Sequence, residues 1–258
     1  MSFSGKTVIV TGTSSGIGAA IALYFNREGA DVVMVGRNVE KLNKVVDRVA
    51  KVGKKPLLIV ADLTDENAAR GVIEKTIAQY GKLDILVNNA GGLTPGGVLD
   101  GEKKLLAAYD SCMNTNVRSV VHLTALAVPH LAKTKGNIVN ISSVVSTVNA
   151  SGHGYTPYSV SKAALDHFMR CAATELGPLG IRVNNVNPGP VVTDFSVNGD
   201  VANVEALSWE NLAKATILGR VSEPEEVADL TLFLASDKAK GITGGMYLID
   251  NGFFLKRK

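Results

Sequence analysis

The sequence is poor in cysteine: Cys112 and Cys171 are the only two in 258 residues, which excludes a disulfide framework and a zinc site built on thiolates. Both are expected as reduced, buried thiols. Histidine is also scarce, and His122, His130 and His167 lack metal-ligand spacing, so they are read as structural members of helical segments and no metal site is expected. No apolar run reaches the roughly 18 residues of a membrane span without a charge, glycine or proline. A basic and hydrophobic leader is missing too, because Met1-Ser2-Phe3-Ser4-Gly5-Lys6 passes straight into the apolar run Thr7 to Val10, so a cytoplasmic protein is expected. Charge of one sign is lacking: 27 basic against 24 acidic residues leave +3, too little for a nucleic-acid surface. The basic tail Lys256-Arg257-Lys258 is read as a solvated end.

What is present is apolar residue, 46% of the chain beside 20% charged, ample for a sizeable core. Short β-branched runs predict strands at Thr7–Val10, Asp31–Val35, Pro56–Ala61, Ile85–Asn88, Asn137–Ile141, Arg182–Val186 and Met246–Ile249. Segments of helical period begin near Gly16, Asn38, Asp65, Glu102, Pro157 and Pro224, the long ones ending near Leu131 and Gly177. Strands apolar on both faces and joined by helical crossovers predict an α/β, Rossmann-type doubly wound fold, with seven parallel strands flanked by helices on both faces. Residues 1–258 are expected to form one domain, since no linker-like stretch divides them.

Two segments break the rhythm, Gly91 to Gly97 and Thr193 to Ala215, and loops at the carboxyl ends of parallel strands are where such a fold binds ligands. The first strand is followed by Gly12-Thr13-Ser14-Ser15-Gly16-Ile17-Gly18 and then a helical run. Glycines let a backbone approach a pyrophosphate, and the N–H groups of a helix start attract it. Alone, this turn points to a nucleotide, with an ordinary tight connection between strand and helix as the alternative.

It does not stand alone. Asn88-Asn89-Ala90-Gly91, Asn116, Ser142-Ser143, Tyr158-Ser159-Val160-Ser161-Lys162 and Asn187-Pro188-Gly189 follow in one order, and with them the chain from Lys6 to Gly252 resembles the single-domain short-chain dehydrogenase/reductase family. The resemblance includes 3-oxoacyl-carrier-protein-reductase-like and carbonyl or steroid reductase members. It implies a nicotinamide cofactor cradled by Gly12, Ser14, Ser15, Gly16, Ile17 and Gly18. Asn89, Ala90 and Gly91 would lie against its ribose, and Pro188, Gly189, Val191 and Thr193 would hold the carboxamide. Asn88 is expected to tie neighbouring strands together.

Cofactor choice is read from the end of the second strand, Val35-Gly36-Arg37, which has no acid to accept from a ribose 2′-hydroxyl. Arg37 offers a charge-assisted pair to a 2′-phosphate, so NADP(H) is expected, with NAD(H) the alternative if Arg37 only caps the next helix. Asp62-Leu63 resembles the adenine-contacting pair of the family, although Asp62 could equally be a helix N-cap.

Tyr158 and Lys162 share one helix face. An ammonium about 4 Å from a phenol is worth roughly 4 kcal/mol at an effective dielectric of 20, enough to lower its pKa by about three. The family pattern assigns Tyr158 as general acid and base, with Lys162 lowering its pKa and holding the nicotinamide ribose. It favours Ser143 over Ser142 as the second donor to the carbonyl oxygen, and strand alternation separates the two hydroxyls. Asn116 matches the position that holds a water for proton resupply, with Asn114 as the competitor. Tyr158 follows Ser143 by 15 positions, against 13 in many members, which places extra residues in Asn149 to Gly154. His153 within them is a solvent-facing or substrate-contacting residue.

Phe195, Val197, Val201, Val204, Leu207, Trp209 and Leu212 would form the inner face of a substrate lid over 193–215, or pack on the domain body. The expected substrate is a small-molecule ketone, aldehyde or alcohol of lipophilic type: steroid, isoprenoid or 3-oxoacyl. Epimerase, dehydratase or enoyl reductase chemistry on the same scaffold is the alternative, and a non-catalytic nucleotide-binding relative a further one. The resemblance also implies self-association as a homotetramer or homodimer.

Overall fold

Seven apolar runs form one parallel sheet in the computed structural model, which describes residues 2–148, 154–193 and 208–256. The strands are β1 (Thr7–Thr11), β2 (Asp31–Gly36), β3 (Leu57–Val60), β4 (Ile85–Asn88), β5 (Asn137–Ile141), β6 (Arg182–Pro188) and β7 (Met246–Ile249). The helices are α1 (Gly16–Arg27), α2 (Val39–Ala50), α3 (Glu66–Tyr80), α4 (Glu102–Met113), α5 (Ser119–Thr134), α6 (Thr156–Leu176), α7 (Trp209–Lys214) and α8 (Pro224–Ala235). The strand order is β3-β2-β1-β4-β5-β6-β7, so the chain reverses its direction of travel between β1 and β4. A crevice opens at the carboxyl ends of the strands at such a reversal.

Each strand feeds two cores. Val8 and Val10 point to a layer containing Phe25, Val46 and Leu232, while Ile9 points to the opposite layer with Val72, Leu131 and Met169. α1, α2 and α8 therefore cover one face and α3, α5 and α6 the other, as strands buried on both sides require. Local signals agree: Asn38 and Asp65 cap α2 and α3 by accepting from Lys41 N and Ala68 N, and Gly81 ends α3 at φ +73°.

The structure departs from the sequence reading in three places. The helical stretch from Glu102 to Leu131 is broken between α4 and α5 by a π-helical turn, Asn114–Arg118, where Ser119 Oγ donates back to Thr115 O at 2.6 Å. Cys112 is buried as expected, but Cys171 is exposed, because it lies on the outer face of α6. Asp62 is not the cap of α3: Asp65 holds that place, and Asp62 accepts instead from Thr64 N and Thr64 Oγ1 at 3.0 and 2.8 Å.

Among the described residues, no helix is long and apolar enough to cross a membrane, and no cluster of His, Cys, Asp and Glu could hold a metal ion. Within the expected lid, α7 buries no side chain, and Trp209 is exposed. Phe195, Val197, Val201, Val204 and Leu207 lie outside the described residues, as do His153 and most of Asn149 to Gly154.

Candidate active site

The turn after β1 is built around contacts that leave no room for a side chain. A Cβ on Gly12 (φ +71°) would lie 2.7 Å from Asn89 Nδ2 and 2.9 Å from Ala90 Cα; one on Gly18 would meet Gly12 O at 2.3 Å. Thr11 Oγ1 accepts from both Asn89 N and Ala90 N at 2.9 Å, and Asn89 Nδ2 donates to Thr11 O at 2.8 Å. The loops after β1 and β4 are thus one unit at the crevice. Ser15, the N-cap of α1, makes no capping bond with its side chain, and the first turn of α1 carries no acid. The helix start, with Ser14 and Ile17 half-buried around it, keeps the positive end that an anionic phosphate seeks. A cradle closed to Cβ atoms and a helix start without a carboxylate both fit a dinucleotide.

Other expected cofactor residues converge on this turn. A Cβ on Gly16 would touch Thr193 Cγ2 at 2.9 Å, which brings the end of the Pro188–Thr193 segment onto the glycines. That segment is held from behind: Gly189 N donates to Ile249 O at 3.0 Å, and Val191 bridges Ser222 in parallel. Arg37 and Asp62 meet at the ends of β2 and β3, with Nη1 3.5 Å from Oδ2. The Thr64 N–H holds the Asp62 carboxyl below its usual range, with the Arg37 charge assisting. Leu63 beside it is half-buried.

The second group of residues sits on the first two turns of α6 and at the carboxyl end of β5, which Lys162 reaches through Ile141 O. The Ser143 hydroxyl neighbours the Tyr158 phenol closely enough to favour its ionised form. Ser142 turns away and donates to Lys162 O at 3.4 Å. The two hydroxyls separate as expected, although both residues follow the last residue of β5. Lys162 Nζ donates to Ile141 O at 2.9 Å and lies 5.7 Å from the centroid of the Tyr158 ring. A Cβ on Gly91 would be 3.2 Å from Asn116 Oδ1 and 3.6 Å from Lys162 Nζ, so the loop after β4 joins the cofactor group to the Tyr158 group.

Electrostatics here differ from the expectation that the ammonium lowers the phenol. Loss of hydration pushes the Tyr158 phenol well up, the Ser143 hydroxyl opposes this, and the neighbouring Cys112 and Tyr155 add to it. The ammonium is committed to Ile141 O, which leaves loss of hydration dominant. Burial also pulls Lys162 down to about 8, against the opposing influence of Asp166 and Cys112.

Asn116 is fully buried in the π-helical turn. Its Oδ1 accepts from Gly92 N at 2.8 Å, and its Nδ2 donates to Gly92 O and Ser161 Oγ, both at 2.9 Å. Asn114, the competing assignment, is only half-buried. Sequence reasoning missed Thr11, Gly92 and Ser161. Ser161 had a signal, its place three residues after Tyr158 on one helix; its hydroxyl donates to Tyr158 O at 2.7 Å.

The loop Gly91 to Gly97 forms a wall, since Gly96 bridges Tyr155 in parallel just before α6. The arrangement sets a half-buried phenol and a neighbouring serine hydroxyl beside an ammonium and a phosphate-ready turn. That is the equipment for passing a proton to or from a small oxygen-bearing molecule next to a dinucleotide.

Comparison with known proteins agrees. The family model described as enoyl-(acyl carrier protein) reductase matches residues 12–254. The chain is 36% identical to the 3-oxoacyl-[acyl-carrier-protein] reductase of Thermotoga maritima, over 99% of this chain and 100% of that protein. It is 32% identical to the 7alpha-hydroxysteroid dehydrogenase of Escherichia coli K12, covering 96% and 94% of the two chains. A crystal structure of a short chain dehydrogenase from Burkholderia cenocepacia in complex with NADP superposes with a TM-score of 0.87 at 34% identity, covering 98% of this chain and 99% of that one.

Proposed function

Because the chain belongs to the short-chain dehydrogenase/reductase family, we propose that it is an NADP(H)-dependent oxidoreductase interconverting a ketone or aldehyde and an alcohol, with Tyr158 as general acid and base. The observation that carries this reading is the loop after β4, where a Cβ on Gly91 would lie 3.6 Å from Lys162 Nζ, so that the Tyr158, Lys162 and Ser143 group adjoins the glycine turn.

The nicotinamide cofactor, when bound, supplies or accepts the hydride. Gly12, Gly16 and Gly18 with the start of α1 would hold its phosphates, Arg37 a 2′-phosphate, and Asn89, Ala90, Gly91 and Lys162 its ribose. In reduction, the Tyr158 hydroxyl gives its proton to the substrate oxygen as charge develops there. Ser143 supplies a second hydrogen bond to that oxygen. The raised phenol keeps the acid in its protonated form at neutral pH, which is the form reduction needs. A positioned acid of this kind contributes about 10²–10⁴ in rate, and one oxyanion donor about 10²–10³.

The substrate is a lipophilic carbonyl compound of steroid, isoprenoid or 3-oxoacyl type. The apolar residues of 193–215 support this, as do the names of the two relatives. The family model's description raises enoyl reduction as a second reading; a serine hydroxyl next to the phenol, suited to polarising a carbonyl oxygen, favours the first. Residues 1–258 act as one catalytic domain with 193–215 as its lid, in a cytoplasmic homotetramer or homodimer.

The test is NADPH oxidation against a panel of lipophilic ketones, polar ketones and enoyl thioesters. We expect the lipophilic ketones to give the highest kcat/KM, and Tyr158→Phe to lower kcat by about 10²–10⁴ with NADPH binding kept. Turnover of enoyl thioesters alone would select the second reading, and full activity of Tyr158→Phe would remove the mechanism.

A further inference from the structure

A line of buried amides crosses the sheet below the site and ends on a carboxylate. Parallel register sets Asn88 opposite Asn140, and Asn140 opposite Asn185. Each pair is bonded, Asn88 Nδ2 to Asn140 Oδ1 at 2.9 Å and Asn140 Nδ2 to Asn185 Oδ1 at 2.8 Å. Asn185 Nδ2 then donates to Asp166 Oδ1 at 2.7 Å. From the same strand, Asn187 Nδ2 lies 3.2 Å from Asp166 Oδ1 and 3.0 Å from Asp166 Oδ2. That amide also lies 3.2 Å from Ser143 O and 3.1 Å from Ser146 Oγ. One side chain therefore links the carboxylate to the turn that carries Ser143.

Asp166 is 3% exposed, and among the described residues no cation pairs with it at salt-bridge distance. Burying a carboxylate without a paired cation is unfavourable, and an apolar residue at this point of α6 would serve packing better. Asp166 stands one helical turn after Lys162 on the same face of α6.

We propose that Asp166 is a positioning residue for the reaction: through Asn187 it fixes the Ser143 turn against Tyr158, and it supplies a buried negative charge one turn from Lys162. The inference rests on the carbonyl reductase reading given above. Besides Asp166, Cys112 from α4 acts on Lys162, the Tyr158 ring lies 5.7 Å from its Nζ, and Tyr155, just before α6, acts on Tyr158. Burial draws Lys162 down to about 8, and the Asp166 charge opposes that fall, so it favours the ammonium at neutral pH.

The test compares Asp166→Asn and Asn187→Ala with the wild-type full chain. The first readout is a 15N NMR titration of Lys162 Nζ in cofactor-free protein. The others are kcat, KM for NADPH and amide exchange at Ser146, whose N–H donates to Ser143 O. For Asp166→Asn the Lys162 midpoint should fall by about one pH unit, since a nearby negative charge favours the ammonium, and kcat at pH 7 should fall about tenfold with KM for NADPH within about twofold. For Asn187→Ala the midpoint should stay, Ser146 exchange should quicken, and kcat should again fall about tenfold, the worth of one hydrogen bond. An unmoved midpoint in Asp166→Asn overturns the charge role. Unchanged kcat and exchange in Asn187→Ala overturn the positioning of Ser143. If Asp166→Asn fails to fold, Asn187→Ala decides by the same two readouts. Absence of wild-type carbonyl reduction would remove the reading beneath, whereas the Lys162 titration and Ser146 exchange still judge the network.

Discussion

Arg37 Nη1 lies 3.5 Å from Asp62 Oδ2, joining the end of β2 to the end of β3 at the edge of the crevice. Both side chains are largely solvated, so the pair contributes little to stability and leaves the guanidinium available to a stronger partner. A 2′-phosphate would be such a partner.

Arg37→Ala should therefore lower the NADPH/NADH ratio of kcat/KM about tenfold or more, the worth of one charge-assisted hydrogen bond. Adding Gly36→Asp should reverse the preference. The new Cβ would sit 3.1 Å from Leu42 Cδ2, a flexible side-chain end able to yield, so the double variant should still fold. An unchanged ratio would leave Arg37 as a partner of Asp62 alone.

Two glycines should respond oppositely to alanine. In Gly18→Ala the methyl would meet Gly12 O at 2.3 Å, a backbone atom that cannot step aside without opening the turn. NADPH affinity, measured by fluorescence titration, should fall about a hundredfold or more, as expected when a phosphate cradle is deformed by an ångström. In Gly71→Ala, inside α3, nothing lies within 4 Å of the new methyl, and stability to urea should rise by about 1 kcal/mol.

The depressed Lys162 makes stability depend on pH. Its folded value of about 8 lies below the ordinary 10.5, so the unfolded chain binds the proton more tightly. The resulting cost is complete below pH 8, is relieved as pH rises from 8 to 10.5, and is absent above that range. At about 1.4 kcal/mol per pKa unit it amounts to about 3 kcal/mol at neutral pH. Lys162→Met should accordingly melt several degrees above wild type at pH 7 in a calorimeter, with the gap closing toward pH 10. A gap independent of pH would refute this account.

The strands and the glycine turn were legible because their signals are local. β-branched runs mark Thr7–Thr11 and Asn137–Ile141, and Gly12 to Gly18 lie within one loop. Arg37 and Asp62 were each read as candidate cofactor residues but not as partners, since their meeting depends on the register of β2 against β3. Asp166 was passed over because its partners Asn185 and Asn187 arrive from a strand about twenty positions later. A signal existed in the asparagines of β6, unusual in so buried a strand. The orientation of Lys162 was illegible in principle: spacing puts it on the face of Tyr158, but whether Nζ turns to the ring or to Ile141 O is a choice of side-chain rotamer.

The π-helical turn at Asn114–Arg118 has a consequence for how the chain tolerates changes in length. Such a turn accommodates one residue more than a regular helix would over the same span. Deleting a single residue there would let α4 and α5 fuse into an uninterrupted helix, a change that looks favourable for the helix itself. Side chains on the two flanking helices would keep their relative facing, because the turn had absorbed its extra residue over the same span, and only the widened turn itself would close. Asn116 would be carried away from Gly92 and Ser161 while the sheet and its two cores stayed intact. A family containing this turn could thus gain or lose function through a one-codon event that leaves its hydrophobic pattern untouched.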